Sequence, residues 1–325
     1  MKNIFLAILS ISLFVNCEGE STQKRLVSAS SGNINTLAVV VDNDLWEGSI
    51  GEAIREIYAA EIWGLPQQEP LFTLSQIPTA VFSDFVTKNR IILKIEKGKP
   101  ADTKFLENVY AKPQKVVLVT GNTNAEIVEQ LKESAEKAIA VLKATEIKER
   151  QRRTGKSLLA DKPIEEALGV NLKIPSAYRY AKDKDGFFWL RRDIKNGDVN
   201  ILIYEMPLDA ITKGDDAITD IIKMRDSIGK AHIPGPLDGS YMITEEAYTP
   251  FSGTTIIDNK PAFETKSTWE VKDAFMAGPF INYAIEDEVN NRLLVIEGFV
   301  FAPSTGKRDY IFELESIIKS IQFKT

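Results

Sequence analysis

Histidine and cysteine each occur only once in the 325 residues, and that scarcity removes whole classes of chemistry. One histidine, His232, excludes zinc sites built on several imidazoles. One cysteine, Cys17, excludes an internal disulfide. Positive charge is in deficit, with 40 Lys and Arg against 46 Asp and Glu, a net −6. That balance leaves no broad cationic footprint for nucleic acid, and none is expected as a partner. Low-complexity tracts and short repeats are missing, which excludes solenoids and propellers. After the first fifteen residues no apolar run is long enough to span a bilayer, which takes about 20 residues as a helix.

What is present begins at the N-terminus. Met1-Lys2-Asn3 supplies a positive charge, and the apolar run from Ile4 to Val15 follows it. A basic start with a short apolar core has the form of a cleavable export signal. The chain turns polar at once in Asn16-Cys17-Glu18-Gly19-Glu20. A lone cysteine on that boundary is the expected site of lipid attachment, which would also remove it from catalysis. Phe14, Val15 and Asn16 depart from the usual small-residue box before such a cysteine, although Leu13 lies just upstream. Two or more acyl chains anchor firmly, since each buried methylene contributes about 0.8 kcal/mol. The membrane, reached through this lipid, is therefore an expected partner. The expected location is the cell envelope, at the outer membrane, facing periplasm or exterior.

Downstream, residues 17–35 are polar and small and read as a flexible tether. The run Thr36–Asp42 suits a buried strand, and Ile50, Ile54, Ile57 and Tyr58 recur at helical spacing. Strands are expected near 71–75, 90–96 and 115–120, with a short helix near 79–87. Thr123 and Glu126 stand at capping-box spacing before a Gly- and Pro-free stretch that predicts one long helix from Ala125 to about Glu149. A charged segment ending in Gly155 marks a domain boundary. Beyond it, aromatic and β-branched strands alternate with Asp-Gly, Asn-Gly and Asn-Asn turns. Helices are expected at 216–228 and 308–320, the latter with Ile311, Leu314, Ile317 and Ile318 on one face. The fold class is α+β with two domains. The first is an N-terminal mixed α/β sandwich, and the second a C-terminal antiparallel sheet with helices on one face. The expected divisions are signal 1–16, tether 17–35, first domain 36–150, linker 151–163 and second domain 164–325.

Several motif fragments fail on their chemistry. Thr154-Gly155-Lys156-Ser157 ends like a phosphate-binding loop, but Arg150 stands where its first glycine belongs. Asp183-Lys184-Asp185-Gly186 starts like a calcium loop, yet Ala181 and Arg192 occupy two main ligand positions, so a tight turn explains it better. His232 lies after a helix, and no Gly-x-Ser-x-Gly turn exists to make a triad with it. The acidic neighbours Asp42 with Asp44, Asp215 with Asp216 and Glu245 with Glu246 are what 46 acids give by chance. No catalytic residue, metal ligand or cofactor is expected. Of the tryptophans, Trp63 flanks the first helix and Trp189 and Trp269 fall in strands, where core packing is commoner than ligand contact. Trp46, with Asp42 and Asp44 at the end of the first strand, is the candidate ligand-binding set, because open α/β sheets bind ligands at strand ends.

Together with the N-terminus, Val41–Gly48, Lys88-Asn89-Arg90-Ile91-Ile92, Ile174–Tyr178, Phe187–Arg192 and Glu297–Pro303 carry a resemblance. The chain resembles an uncharacterised family of Bacteroidota envelope lipoproteins, a domain of unknown function (DUF4837), over nearly the whole mature chain. The resemblance implies a lipid-bearing cysteine at Cys17 and a two-part body, but no activity. The leading expectation is a non-catalytic binding or scaffolding module for an envelope protein or polymer. The alternatives are a carboxylate-based hydrolase of an envelope polymer and a carrier for apolar cargo. Replacing Cys17→Ala is expected to move the protein from the membrane to the soluble fraction of its host. Mass spectrometry of the native protein should find residues 1–16 removed and the sulfur acylated.

Overall fold

The computed structural model describes residues 27–214 and 216–324, so the signal, Cys17 and Asp215 lie outside the described residues. The first sheet is centred on β1 (Thr36–Val40), with β2 (Thr73–Ile77) and β3 (Ile91–Lys97) parallel on either side. β4 (Asp102–Glu107) and β5 (Lys115–Gly121) complete the order β2-β1-β3-β5-β4, with β4 antiparallel at the edge. After β1 come the short α1 (Asn43–Glu47) and α2 (Ser49–Tyr58), and after β5 comes α3 (Asn124–Thr154). The apolar residues of β1 are unbroken because both sheet faces are covered. Leu37, Val39 and Leu93 pack under Ile50, Ile54 and Tyr58 of α2 and Ile127 and Leu131 of α3. On the other face Val40, Ile92 and Val116 pack under Phe82, Leu106 and Tyr110.

Three local expectations change here. The segment expected as a helix over 79–87 forms two 3-10 turns, Thr79–Val81 and Asp84–Lys88. Asp84 has φ of 46°, a left-handed conformation that interrupts an α-helix. β4 had no sequence signal, since an edge strand of charged and half-buried residues shows no apolar run. The tether expected to reach residue 35 also stops earlier. Ala29 and Ser31 bridge to Lys112 and Asn89, and the buried Asn35 donates its N–H to Glu146 Oε2 at 2.8 Å. Glu146 holds the equally buried Arg90 at 2.6 Å. This polar segment is fixed by backbone partners, which composition does not reveal.

Thr123 Oγ1 accepts the Glu126 N–H at 3.2 Å, and the Glu126 carboxylate accepts the Asn122 N–H at 2.7 Å. The capping box thus closes one residue early. α3 then runs for 31 residues, about 46 Å at 1.5 Å per residue. It continues to Thr154, so the expected linker 151–163 begins inside the helix. Arg152 and Arg153 sit in its last turn, where the helix dipole favours cations, and both are held by Glu149.

The second domain opens with α4 (Lys162–Leu168) and the short β6 (Val170–Asn171). Its sheet is antiparallel and has eight strands. These are β7 (Arg179–Lys184), β8 (Phe187–Ile194), β9 (Gly197–Pro207), β10 (Met242–Thr244), β11 (Phe251–Ile257), β12 (Lys260–Val271), β13 (Ala274–Asp287) and β14 (Arg292–Phe301). The path is β10-β12-β13-β14-β9-β8-β7, with β11 paired to β12. α5 (Ala217–His232) lies between β9 and β10. α6 (Arg308–Ile318) closes the chain, followed by β15 (Gln322–Phe323) against β6. Ile201, Ile203, Ile281 and Ile296 face α6 and α4, whereas Leu202, Tyr204, Phe280 and Val295 face Ile221 and Met224 of α5. The α+β class with two domains holds, but the helices divide between both faces of this sheet. Strands such as β14, apolar on alternate and intervening residues alike, need a cover on each side.

The domains meet through Leu65, which joins the core of the second domain, and through polar contacts. Glu69, in the loop before β2, accepts the N–H groups of Lys307 and Arg308 at 2.6 and 3.1 Å and so caps α6 from the other domain. Gln151 donates to the Ser316 carbonyl at 2.9 Å, and Arg150 pairs with Glu313. Burial pushes the Glu315 carboxyl up, but Lys143 of α3, Lys319 and Lys266 outweigh it and hold it down at about 2.

α5 is fixed to the sheet by a buried ion pair. Arg225 Nε donates to Glu297 Oε1 at 3.0 Å, and Nη1 donates to Thr244 Oγ1 at 3.0 Å. Asn282 donates to the other oxygen of Glu297 at 3.0 Å, and Arg225 lies 3.9 Å over the Phe280 ring. A Cβ at Gly229 would stand 2.1 Å from the Met242 carbonyl, so only glycine permits this approach of α5 to β10. Truncating Glu297→Ala removes the buried counter-charge of Arg225 and leaves it the more distant, partly exposed Asp226 at 3.7 Å. Urea unfolding is expected to show a loss of about 3–5 kcal/mol.

Candidate functional site

The ligand set expected at the end of β1 is not assembled around a cleft. Asp42 and Asp44 are exposed, and Asp42 Oδ1 accepts from the Thr79 backbone N–H at 3.1 Å and from its hydroxyl. Trp46 is half-buried against the first core, and Arg55 covers its ring at 4.9 Å while donating to the Trp46 carbonyl at 3.2 Å. None of these three lines a described cavity. Trp269 is core, packed edge-on against Phe299. Among the described residues, no group of three or more His, Cys, Asp or Glu is placed to hold a metal ion. Nor is any helix long and apolar enough to cross a membrane.

The best-developed site lies at the free end of α5. Two adjoining clefts of about 510 and 650 Å³ share Lys182 and His232. The β7–β8 hairpin forms one wall. Asp185 and Gly186 turn it, with φ of 54° and 76°, as expected of a tight Asp-Gly turn. β9 contributes Tyr204 and Glu205, and α5 contributes Ile228, Lys230 and His232. The loop after α5 returns Tyr241 to the rim through a bridge to Pro234, while Ser240 ties it internally to Leu237.

Three rings form a ladder in the groove. His232 stacks on Phe187 with centroids 4.0 Å apart and planes 12° from parallel, and Phe187 stacks on Tyr204 at 6.1 Å. Lys182 Nζ lies 2.8 Å from His232 Nδ1. Burial, and then the Lys182 cation, hold the imidazole below its ordinary value, so it is neutral at pH 7. Neutral His232 accepts from Lys182 at Nδ1 and carries its proton on Nε2. A triad histidine instead donates from Nδ1 to a carboxylate. The serine hydroxyl of the groove, at Ser240, donates to the Leu237 carbonyl at 2.6 Å and accepts the Leu237 N–H at 3.1 Å. The arrangement is therefore not that of a nucleophile and its base.

Charge and ring faces define what fits. Lys182, Lys184 and Lys230 line the groove, and Lys230 and Lys272 both stand 5.7 Å from the centre of the Tyr241 ring. Two acids are present, of which Glu205 is paired with Arg292 and Asp185 is at the exposed turn. Trp189 adds a half-buried face, its Nε1 held by Asn200 at 2.9 Å. Sequence reading had singled out His232, the Asp-Gly turn and Trp189 separately; Lys182, Lys230 and Tyr241 carried no signal, since pairing across the hairpin and the loop alone brings them together. A proton titration of the single imidazole by NMR is expected to place its midpoint below 6.5, and Lys182→Met to raise it. Because the folded value is depressed, the imidazole's contribution to stability is full above about 6.5 and is lost as pH falls through the folded midpoint.

Two family models divide the chain. Residues 30–155 match Domain of unknown function (DUF8532), and residues 157–320 match Domain of unknown function (DUF4837). The resemblance to the latter, expected over nearly the whole mature chain, is thus confined to the second domain. Both describe domains without an assigned catalytic activity. No curated protein matches the chain. With half its length under the second of these models, and with the groove inside that half, the chain belongs to the DUF4837 family.

Proposed function

We propose that this protein is a lipid-anchored binding module of the Bacteroidota cell envelope, held at the outer membrane through Cys17, which takes an acidic glycan along the Lys182–His232 groove. The observation that carries the reading is the groove itself, in which Lys182, Lys184 and Lys230 stand beside the half-buried rings of Tyr241, Trp189 and His232. Sugar rings stack on such faces, and uronate or similar anions meet ammonium groups. Lysine donates as a hydrated point charge, which suits repeated, loosely spaced anions. The chain as a whole carries a net charge of −6, which repels polyanions away from these lysines.

The hydrolase alternative is disfavoured by proton affinity. A glycosidase acid needs a carboxyl held above its ordinary value. Among the described residues the shifted carboxyls, Glu96, Glu107, Glu149, Glu165, Asp193, Asp220, Glu264, Asp287 and Glu315, are all shifted downward. The carrier alternative calls for an enclosed apolar chamber. The described cavities are open clefts with charged side chains in their walls, including the one of about 430 Å³ beside α3, which is lined by Lys115, Lys148 and Glu149.

Titration calorimetry with polygalacturonate tests the reading. Tyr241→Ala and Lys230→Ala are each expected to weaken binding about tenfold, or 1.4 kcal/mol. Equal affinity for a neutral glucan, preference for single-stranded DNA, or no effect of either substitution would sink it.

A further inference from the structure

The boundary between the domains holds a second cationic cleft, of about 390 Å³, that shares no lining residue with the groove. Its walls come from both domains. α3 contributes Arg150 and Arg153, α6 contributes Arg308, and β2 contributes the Thr73 hydroxyl. The acid that lines it, Asp309, is 68% exposed, whereas Arg308 is 13%, Arg150 31% and Arg153 38% exposed. The cations therefore stand in the wall and the acid on the rim, in a chain whose overall charge is −6.

Their existing partners orient these guanidinium groups without exhausting them. Arg308 donates from Nε to Asp309 at 2.9 Å and from Nη1 to Thr73 Oγ1 at 3.1 Å and the Pro70 carbonyl at 3.2 Å. Arg153 donates from Nε to Glu149 at 2.7 Å and from Nη2 to the Gly32 carbonyl at 3.0 Å. Arg150 pairs through Nη2 with Glu313, while among the described residues its buried Nε has no partner. Glu313 is shared, since Arg192 also donates to it at 2.8 Å and the Tyr178 hydroxyl at 2.9 Å. Burial, then Arg192 and Arg153, lower the affinity of Arg150 for its proton, against Tyr178 and Asp309, which raise it.

From this convergence we infer that the interdomain cleft binds the phosphate group of a phosphate-bearing ligand, held by Arg150, Arg153 and Arg308. A tetrahedral dianion offers acceptors to guanidinium forks arriving from several directions, which a planar carboxylate does not. The cleft volume falls in the range of small-molecule sites, so the phosphate belongs to a small phosphorylated compound or to a phospholipid headgroup. Because the walls belong to different domains, the bound anion also fastens them together.

Titration calorimetry of the full mature chain with inorganic phosphate, at constant ionic strength set with chloride, tests the site. Saturable binding is expected, with affinity reduced about tenfold or more in Arg153→Gln and in Arg150→Lys, which keeps the charge and removes the fork. Glu149 retains Arg90 and Arg152 in the first variant, and circular dichroism checks both folds. Lys230→Gln, in the groove, is expected to bind phosphate as wild type does. Co-sedimentation with phosphatidylcholine vesicles containing phosphatidic acid separates the two sources. Sedimentation lost in Arg153→Gln identifies a headgroup, and phosphate binding without sedimentation identifies a soluble ligand. Binding of neither probe, or binding unchanged in both arginine variants, overturns the site.

Discussion

The structure depends on the enclosure of the last eight residues of α6. Every residue from Ile311 to Ile318 is buried, including two carboxylates, Glu313 and Glu315. The apolar side of the helix, with Ile311, Leu314 and Ile318, rests on the second sheet. The acidic side faces α3 of the first domain, and buried anions oblige cations to meet them. Arg150 answers Glu313 and Lys143 answers Glu315, while Glu69 closes the helix N-terminus. One helix thus belongs to the core of one domain and to the charged boundary of both.

That constraint accounts for the placement of the interdomain cationic cleft. Among the residues lining the interdomain opening, the arginines, two of them held by Glu313 and Glu149, outnumber the acid Asp309. The lysine groove stands on a different support. Arg225 and Glu297 hold α5 against the sheet, so the helix delivers His232 onto Phe187 at a fixed spacing. The clefts therefore differ in chemistry for a structural reason. Guanidinium forks suit a buried, geometrically fixed boundary, whereas flexible ammonium groups line an open rim.

Much of the scaffold was legible in the residues. Leu37–Val41 and β14 read as strands because unbroken apolar runs have few other uses, and Thr123 with Glu126 announced α3. Other features were hidden for identifiable reasons. β4 is an edge strand without apolar alternation, and residues 28–35 are held through backbone bridges and the buried Glu146. Trp46 stood where an open sheet offers a ligand site, but Arg55 already covers its ring.

The amino-acid sequence alone determined the α+β class, the two-domain division and most of the helices and strands, because propensity, periodicity and capping act within a few residues. Only the tertiary structure decided that helices cover both faces of the second sheet, that acids on α6 are buried, and where cations gather. Lys182 and His232 are 50 residues apart, and Arg150 and Arg308 lie in different domains. Such neighbours are chosen by strand pairing and helix docking, and no local pattern in the chain encodes the distance between them.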